Sequence, residues 1–335
     1  MKKLTCILLL MMCLQFAMAQ AIVVDATGKG NFASIQAAIN SLPDSSATDR
    51  VILIKKGIYR EKVSITKNHI VLQGEDERGT LLTQSIAREI WLCSNPSDWG
   101  VATMNITGND ITLKNLTITN TYGKDAKGDT VVDCPNTPAT PKKTVKPGSH
   151  QMALRTSSAT RLKVISCTFR AYGGDTVSPW NVKNGLYYFK DCTMEGYVDF
   201  YCPRGRAYAQ NCTFICHSPE AAIWHDGSAD ENSKTVLVNC KFTGDNGFKL
   251  GRYHLDSQFY LINCTFAANM ADAPIYQAAS SKGVKWGQRT YFFNCHKEAG
   301  DYAWFKNNLN TASGAPDANK IDALWAMDNK WNPYK

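Results

Sequence analysis

No C-x-x-C pair occurs anywhere in the 335 residues, although 12 cysteines are present. Structural zinc sites draw on such closely spaced thiolates, so the chain is read as holding no metal. Neither a G-x-S-x-G elbow nor a clustered acidic calcium loop appears, which disfavours a serine hydrolase and a calcium-dependent enzyme. Zinc-finger spacing and a basic helix are also missing, so nucleic acid is not the expected partner. No apolar run is long enough to span a bilayer, because a helical span needs about 20 such residues. Nothing in the pattern calls for a cofactor.

The longest apolar stretch, Ile7 to Phe16, follows Lys2 and Lys3 and precedes Ala17-Met18-Ala19. This is the pattern of a cleaved signal peptide over residues 1–19. The expectation is therefore export to the periplasm, cell surface or medium, with 20–335 as a single monomeric domain. Loss of the two lysines takes the formal charge from +8 to +6. A basic balance favours an anionic partner, and for an exported protein an acidic polysaccharide fits best. Cysteine in an exported chain normally signals disulfides. Here Cys93, Cys134, Cys202 and Cys216 are free to pair, with connectivity open, while six others follow a different rule.

Those six mark a repeat. ISCTF, KDCTM, QNCTF, VNCKF, INCTF and FNCHK place cysteines at 167, 192, 212, 240, 264 and 295. Short β-rich cores recurring at such a period indicate a solenoid, here an all-β, single-stranded right-handed parallel β-helix. The cysteines are expected as a stacked column of reduced, buried thiols, since free cysteine packs as a small hydrophobe. Ile35, Ala38, Ile39 and Leu42 follow helical spacing and predict an N-terminal helix capping the first coil. A C-terminal helix is expected around 317–327, with Ile321, Leu324 and Trp325 on one face. Residues 121–149 are rich in Gly, Pro, Thr and Lys and lack strand periodicity, so they are expected as a loop excursion lying over a substrate groove.

Gln151, Asp175 and Asp199 are each 24 positions apart, which would align an amide and two carboxylates on three consecutive coils. Two carboxylates at such range hold one proton between them more readily than none, the division of labour needed for a nucleophile and a general acid. Arg252, in a later coil, would keep Asp199 ionised if it reached that residue. Gln151 offers an amide to a developing oxyanion. Taken singly, either aspartate reads as an ordinary turn residue.

Together with GIYREKV (57–63), QMALR (151–155), GDT (174–176), YVDF (197–200) and LGR (250–252), the chain resembles the pectin methylesterase family from VVDATGKGNFASIQAAI onward. The resemblance implies hydrolysis of methyl esters of uronic acid residues in a pectic polysaccharide, releasing methanol. It casts Asp199 as nucleophile, Asp175 as general acid and then base, Arg252 as partner of Asp199 and Gln151 as oxyanion donor. Three departures stand out. Gly174 replaces the Gln usual before the acid/base Asp; Tyr201-Cys202-Pro203 follows Asp199-Phe200; and Tyr253-His254 follows Arg252 where the family has Pro-Trp. Tyr201, Tyr253, His254, Tyr172, Trp180 and Trp224 are the candidates for lining a sugar site, since aromatic faces stack on sugars. A polysaccharide lyase, a glycosidase or a non-catalytic binder on the same fold are the alternatives.

Overall fold

A tight corner, repeated once per coil, sets the architecture. Ser166, Asp191, Asn211, Asn239, Asn263 and Asn294, each just before a repeat cysteine, have φ between 50° and 55°. Asn and Asp enter this left-handed region at least cost among non-glycine residues, and the corner turns the chain from one sheet into the next. Their side chains form a ladder: Asn211 donates to Asp191 at 3.0 Å, Asn239 to Asn211 at 3.3 Å, Asn263 to Asn239 at 3.2 Å and Asn294 to Asn263 at 2.9 Å. Inside the corner, each cysteine thiol donates to the carbonyl two residues back, from 3.2 Å at Cys192 to 3.6 Å at Cys264 and Cys295. All six thiols are buried and reduced, as the repeat predicts. Leu116 takes the same place one coil before Cys167.

A computed structural model of the protein describes residues 21–136, 141–225, 230–279, 283–311 and 316–335; the side chains of Trp224, His225 and Ser257 lie outside the description. The expected signal peptide lies outside the described residues. The coils build three parallel sheets, the β-helix anticipated above. The first face has ten strands, from Ile22–Val24 to Gln288–Phe293, and the second has nine, from Gly57–Arg60 to His296–Lys297. The third face carries a run of four strands ending at Val177–Ser178 and a run of three beginning at Ala221–His225. Tyr201 joins these two runs by bridging Val177 on one side and Ile223 on the other. One interior core extends from Val24 to Cys295, filled late in the chain by stacked rings such as Phe214 on Phe242, centroids 4.7 Å apart. No helix among the described residues is long and apolar enough to cross a membrane.

The N-terminal helix Ile35–Ser41 closes the first coil as expected, burying Ile35, Ala38 and Ile39. Its exposed backbone donors are satisfied by Glu61 of the GIYREKV block, which accepts from Ile35 N at 2.7 Å and Gln36 N at 3.0 Å. An anion at a helix N-terminus is favourable, which gives that block a structural task. The tail differs from expectation. It is a 3-10 turn at Ala318–Lys320 and a separate turn of helix at Ala323–Ala326, broken where the Asp322 side chain accepts from Trp325 N at 2.7 Å. The buried residues are Ala318, Ile321, Ala323, Ala326 and Met327, packed on the outer surface of the first face against Tyr208, Val236 and Tyr260; Trp325 is half-buried.

Residues 121–149 also correct the expectation of a strandless loop. Thr130–Asp133 and Lys142–Val145 form an antiparallel hairpin, and Val145 packs with Tyr122 and Ala87 in a small core of its own. Cys134, just past the hairpin's first strand, is disulfide-bonded to Cys93 of the helix Arg88–Ser94. Cys202 and Cys216 are free and buried. Alkylation of the denatured protein without reductant is therefore expected to label Cys167, Cys192, Cys202, Cys212, Cys216, Cys240, Cys264 and Cys295, and to label Cys93 and Cys134 only after reduction. Peptide mass spectrometry finding the repeat cysteines in disulfides would rule out the thiol column.

Candidate active site

Because Val177 bridges Tyr201, the residues two places earlier, Asp175 and Asp199, hold the same position in neighbouring coils. Adjacent strands stand about 4.8 Å apart, so the two carboxylates are brought side by side. Both residues have left-handed backbone, φ 63° for Asp175 and 53° for Asp199, so each sits at a corner where the chain enters the third face. They are 5% and 4% exposed: nearly withdrawn from water, yet reachable at the surface.

Gln151 stands out of line with them. Leu154 pairs with Val177, which sets Gln151 level with Gly174, and its N–H donates to the Gly174 carbonyl at 3.1 Å. Its side chain is fully buried and already engaged. Nε2 donates to Pro147 O at 2.6 Å and Ser149 O at 3.0 Å, while Oε1 accepts from Gly123 N at 2.9 Å. Both amide hydrogens are thus committed, and the expected three-member column is reduced to the two carboxylates. Gln151 instead ties both ends of the 121–149 excursion to the coil beside them.

Arg252 reaches Asp199 from two coils further on. Tyr201 bridges Ile223, and Ile223 pairs with Gly251. Gly251 is required by closeness, since a Cβ there would lie 2.6 Å from Ile223 Cγ1. Arg252 Nε donates to Asp199 Oδ1 at 2.9 Å and Nη2 to Oδ2 at 2.5 Å, the two-point geometry that suits guanidinium and carboxylate. Burial pushes the Asp199 carboxyl up from its ordinary value; the Arg252 hydrogen bond and charge oppose this, and the Asp175 charge adds to it. The same contact, with Asp199 as acceptor, raises Arg252.

Asp175 has different neighbours, none of which the sequence signals. Cys202 Sγ donates to its Oδ1 at 3.5 Å, and Arg88 Nη1 stands 3.9 Å from Oδ2. Arg88 also faces Glu89 at 3.6 Å, and Glu89 faces His150 Nδ1 at 3.9 Å. Arg88 belongs to a helix outside the repeat and to no motif, so no spacing could have placed it here. His150 closes over Gly174: a Cβ on Gly174 would lie 3.1 Å from His150 Cδ2 and 2.9 Å from Val198 O.

The pectinesterase family profile matches residues 21–133. A curated relative from Arabidopsis thaliana, putative pectinesterase 11, is 30% identical over 246 residues, covering 71% of this chain and 60% of its own. Probable pectinesterase/pectinesterase inhibitor 58 from the same plant is 29% identical over 235 residues, 68% of this chain and 36% of its own. The chain belongs to the pectinesterase family. It spans between about a third and three fifths of the length of these curated relatives. Among solved structures, the pectin methylesterase PemA from Erwinia chrysanthemi matches with TM-score 0.68 at 19% identity, covering 94% of this chain and 98% of that one. The pectin methylesterase from Yersinia enterocolitica matches with TM-score 0.64 at 20% identity, covering 90% and 99%. These similarities carry the fold.

Within this pectinesterase frame, the aromatic candidates separate. Tyr201 is 0% exposed, its ring against Phe214 and Phe189 with centroids 5.2 Å and 5.7 Å away; it fills the core and touches no sugar. Tyr253 is likewise a core residue. Alternation turns Tyr253, the residue next to Arg252 on its strand, to the opposite face, whereas Tyr201 faces inward because the left-handed corner at Asp199 separates it from that residue. Trp180 is 39% exposed, held by Arg204 at 4.2 Å and Arg155 at 4.8 Å on the third face. His254 is half-buried, its carbonyl accepting from Gln277 Nε2 at 3.1 Å. Tyr172 lines a groove on the second face. Trp224 pairs with Arg252 through its backbone, and its side chain lies outside the described residues. Tyr276 is opposite Arg252 on the next coil, a neighbour that sequence reading missed.

The competing influences on Asp199 give a direct test. Arg252→Gln is expected to move the Asp199 titration midpoint further up, because it removes the group opposing burial. Asp175→Asn is expected to move it down, because it removes a like charge. Carboxylate difference infrared spectroscopy against Asp199→Asn reads the midpoint; one unaffected by either substitution would contradict this electrostatic arrangement.

Proposed function

We propose that the chain is a carboxylic ester hydrolase acting on methyl esters of uronic acid residues in a pectic polysaccharide. The observation that carries this reading is the buried Asp199 gripped at both oxygens by Arg252 and set one coil from Asp175, in a chain of this family. A solved pectin methylesterase of this fold is in complex with a hexasaccharide, which supports an oligosaccharide ligand here.

In the proposed reaction, Asp199 attacks the ester carbonyl. A carboxylate has about four lone-pair sites, so two bonds to Arg252 leave others for the nucleophile. Collapse of the tetrahedral intermediate expels methoxide, which takes a proton from Asp175 and leaves as methanol. Asp175, now an anion, accepts a proton from water as that water attacks the acyl-enzyme. The products are the free uronate and regenerated Asp199. Gln151 would have to release Pro147 or Ser149 to serve the oxyanion. His150, whose ring edge occupies the direction a side chain at 174 would take, is the better-placed substitute. The reading places this chemistry outside the membrane after export, in a monomer, with no metal or cofactor.

The test follows methanol and chain length together on methyl-esterified oligouronides. Methanol release with unchanged chain length is expected, and Asp199→Asn or Asp175→Asn should lower it by roughly 10³-fold or more, as for members of a catalytic unit. Chain shortening without methanol would transfer the site to a lyase or glycosidase. Retention of most turnover by folded Asp199→Asn would remove Asp199 from the mechanism.

A further inference from the structure

A groove of about 620 Å³ lies on the outer surface of the second face, and neither Asp175 nor Asp199 lines it. Its floor is a register row. Arg60 pairs with Thr83, Thr83 with Thr119, and Thr119 with Arg170. Three strand spacings separate the two arginines, about 14 Å at the usual interval. Between them Thr119 Oγ1 donates to Thr83 Oγ1 at 2.9 Å. The row is therefore a hydroxyl floor with a guanidinium at each end.

Charge on the lining is one-sided. Arg60, Arg78, Lys124 and Arg170 face a single acid, Asp125, and Asp125 accepts from Thr121 Oγ1 at 2.6 Å. Arg170 is fixed by Glu195 at 2.6 Å. Arg60, Arg78 and Lys124 are exposed and make no ion pair with any described residue. Glu77, a further acid nearby, accepts from Thr168 Oγ1 at 2.6 Å. Three unpaired cations over a floor of hydroxyls match a ligand that is both anionic and polyhydroxylated.

The groove borders the carboxylate site. Tyr172 on its margin is followed by Gly173, Gly174 and Asp175. Lys124 lies in the excursion whose Gly123 is held by Gln151. We infer that this groove is a second saccharide site that binds a de-esterified, uronate-bearing stretch of the same chain. The inference rests on the proposed function for the identity of the polymer, and the groove's own chemistry selects the charged product over the neutral ester. Carboxylates meet Arg60, Arg78 and Lys124 while ring hydroxyls meet the threonines.

The probe is an unesterified hexamer of galacturonate, titrated calorimetrically into wild-type protein and into Arg60→Ser/Arg78→Ser/Lys124→Ser. Binding to the triple variant is expected to be at least tenfold weaker and less sensitive to salt, because screening acts on these exposed charges. Thermal midpoint and turnover of a methyl-esterified dimer, too short to span both sites, are expected to be unchanged. Equal hexamer binding by the two proteins overturns the inference even if methanol release is confirmed. An equal loss of affinity for a fully esterified hexamer, or wild-type binding of polyphosphate as tight as of the hexamer, also overturns it by removing uronate selectivity. If no methanol is released but hexamer binding depends on the three cations, the groove stands and the esterase reading falls.

Discussion

Val177 meeting Tyr201 is a single backbone bridge, yet the chemistry proposed for the molecule depends on it. It holds Asp175 and Asp199 at equivalent corners of neighbouring coils. In a parallel solenoid, registration propagates: a one-residue slip at any coil would turn every later side chain to the opposite face. The ladder of Asn side chains and the buried cysteines resist such a slip along one corner. The coil at Gln151 shows what a single residue of offset does. Leu154 pairs with Val177 at an interval one shorter than Val177 with Tyr201, and the amide leaves the column.

The Asp199–Arg252 pair spans two coils, with Asp199 nearly buried and about a quarter of the Arg252 side chain exposed. Withdrawing a carboxylate from water is costly, and the attraction of its partner only partly offsets that cost. The balance at Asp199 falls on the side of burial, with its carboxyl raised despite two hydrogen bonds from Arg252. As the proposed nucleophile, Asp199 would be less solvated than a free aspartate, while the guanidinium of Arg252 stabilises its anion. Asp175, contacted by a neutral thiol and a more distant Arg88, has a looser electrostatic setting. In the proposed reaction, that asymmetry would suit one carboxylate for bonding to carbon and the other for moving protons.

Much of the fold was legible because it repeats. The recurring cysteines announced the coils and their buried thiol column, and Ile35, Ala38 and Ile39 announced the cap. Asp175, Asp199 and Arg252 were legible through motif and order. Contacts that no period encodes were hidden: Arg88 from a helix between coils, His150 over Gly174, Tyr276 opposite Arg252. Tyr201 and Tyr253 misled because nearness in sequence to a site residue says little about facing once the chain turns a corner. The excursion concealed a hairpin because its strands are short and mostly exposed, with Val145 among the few residues buried. The disulfide was open among four cysteines until the structure joined Cys93 to Cys134.

Charge links the two faces of the account. The carboxylates would generate anions, and the cationic groove on the second face would hold them. The central claim remains the chemical role of residue 199, and a crystal structure of Asp199→Asn with a methyl-esterified oligouronide tests it most directly. The account predicts an ester carbonyl carbon about 3–3.5 Å from the residue 199 side chain, the range of a near-attack contact, with the leaving methoxy oxygen toward Asp175. A saccharide bound with every ester remote from residue 199 would contradict it.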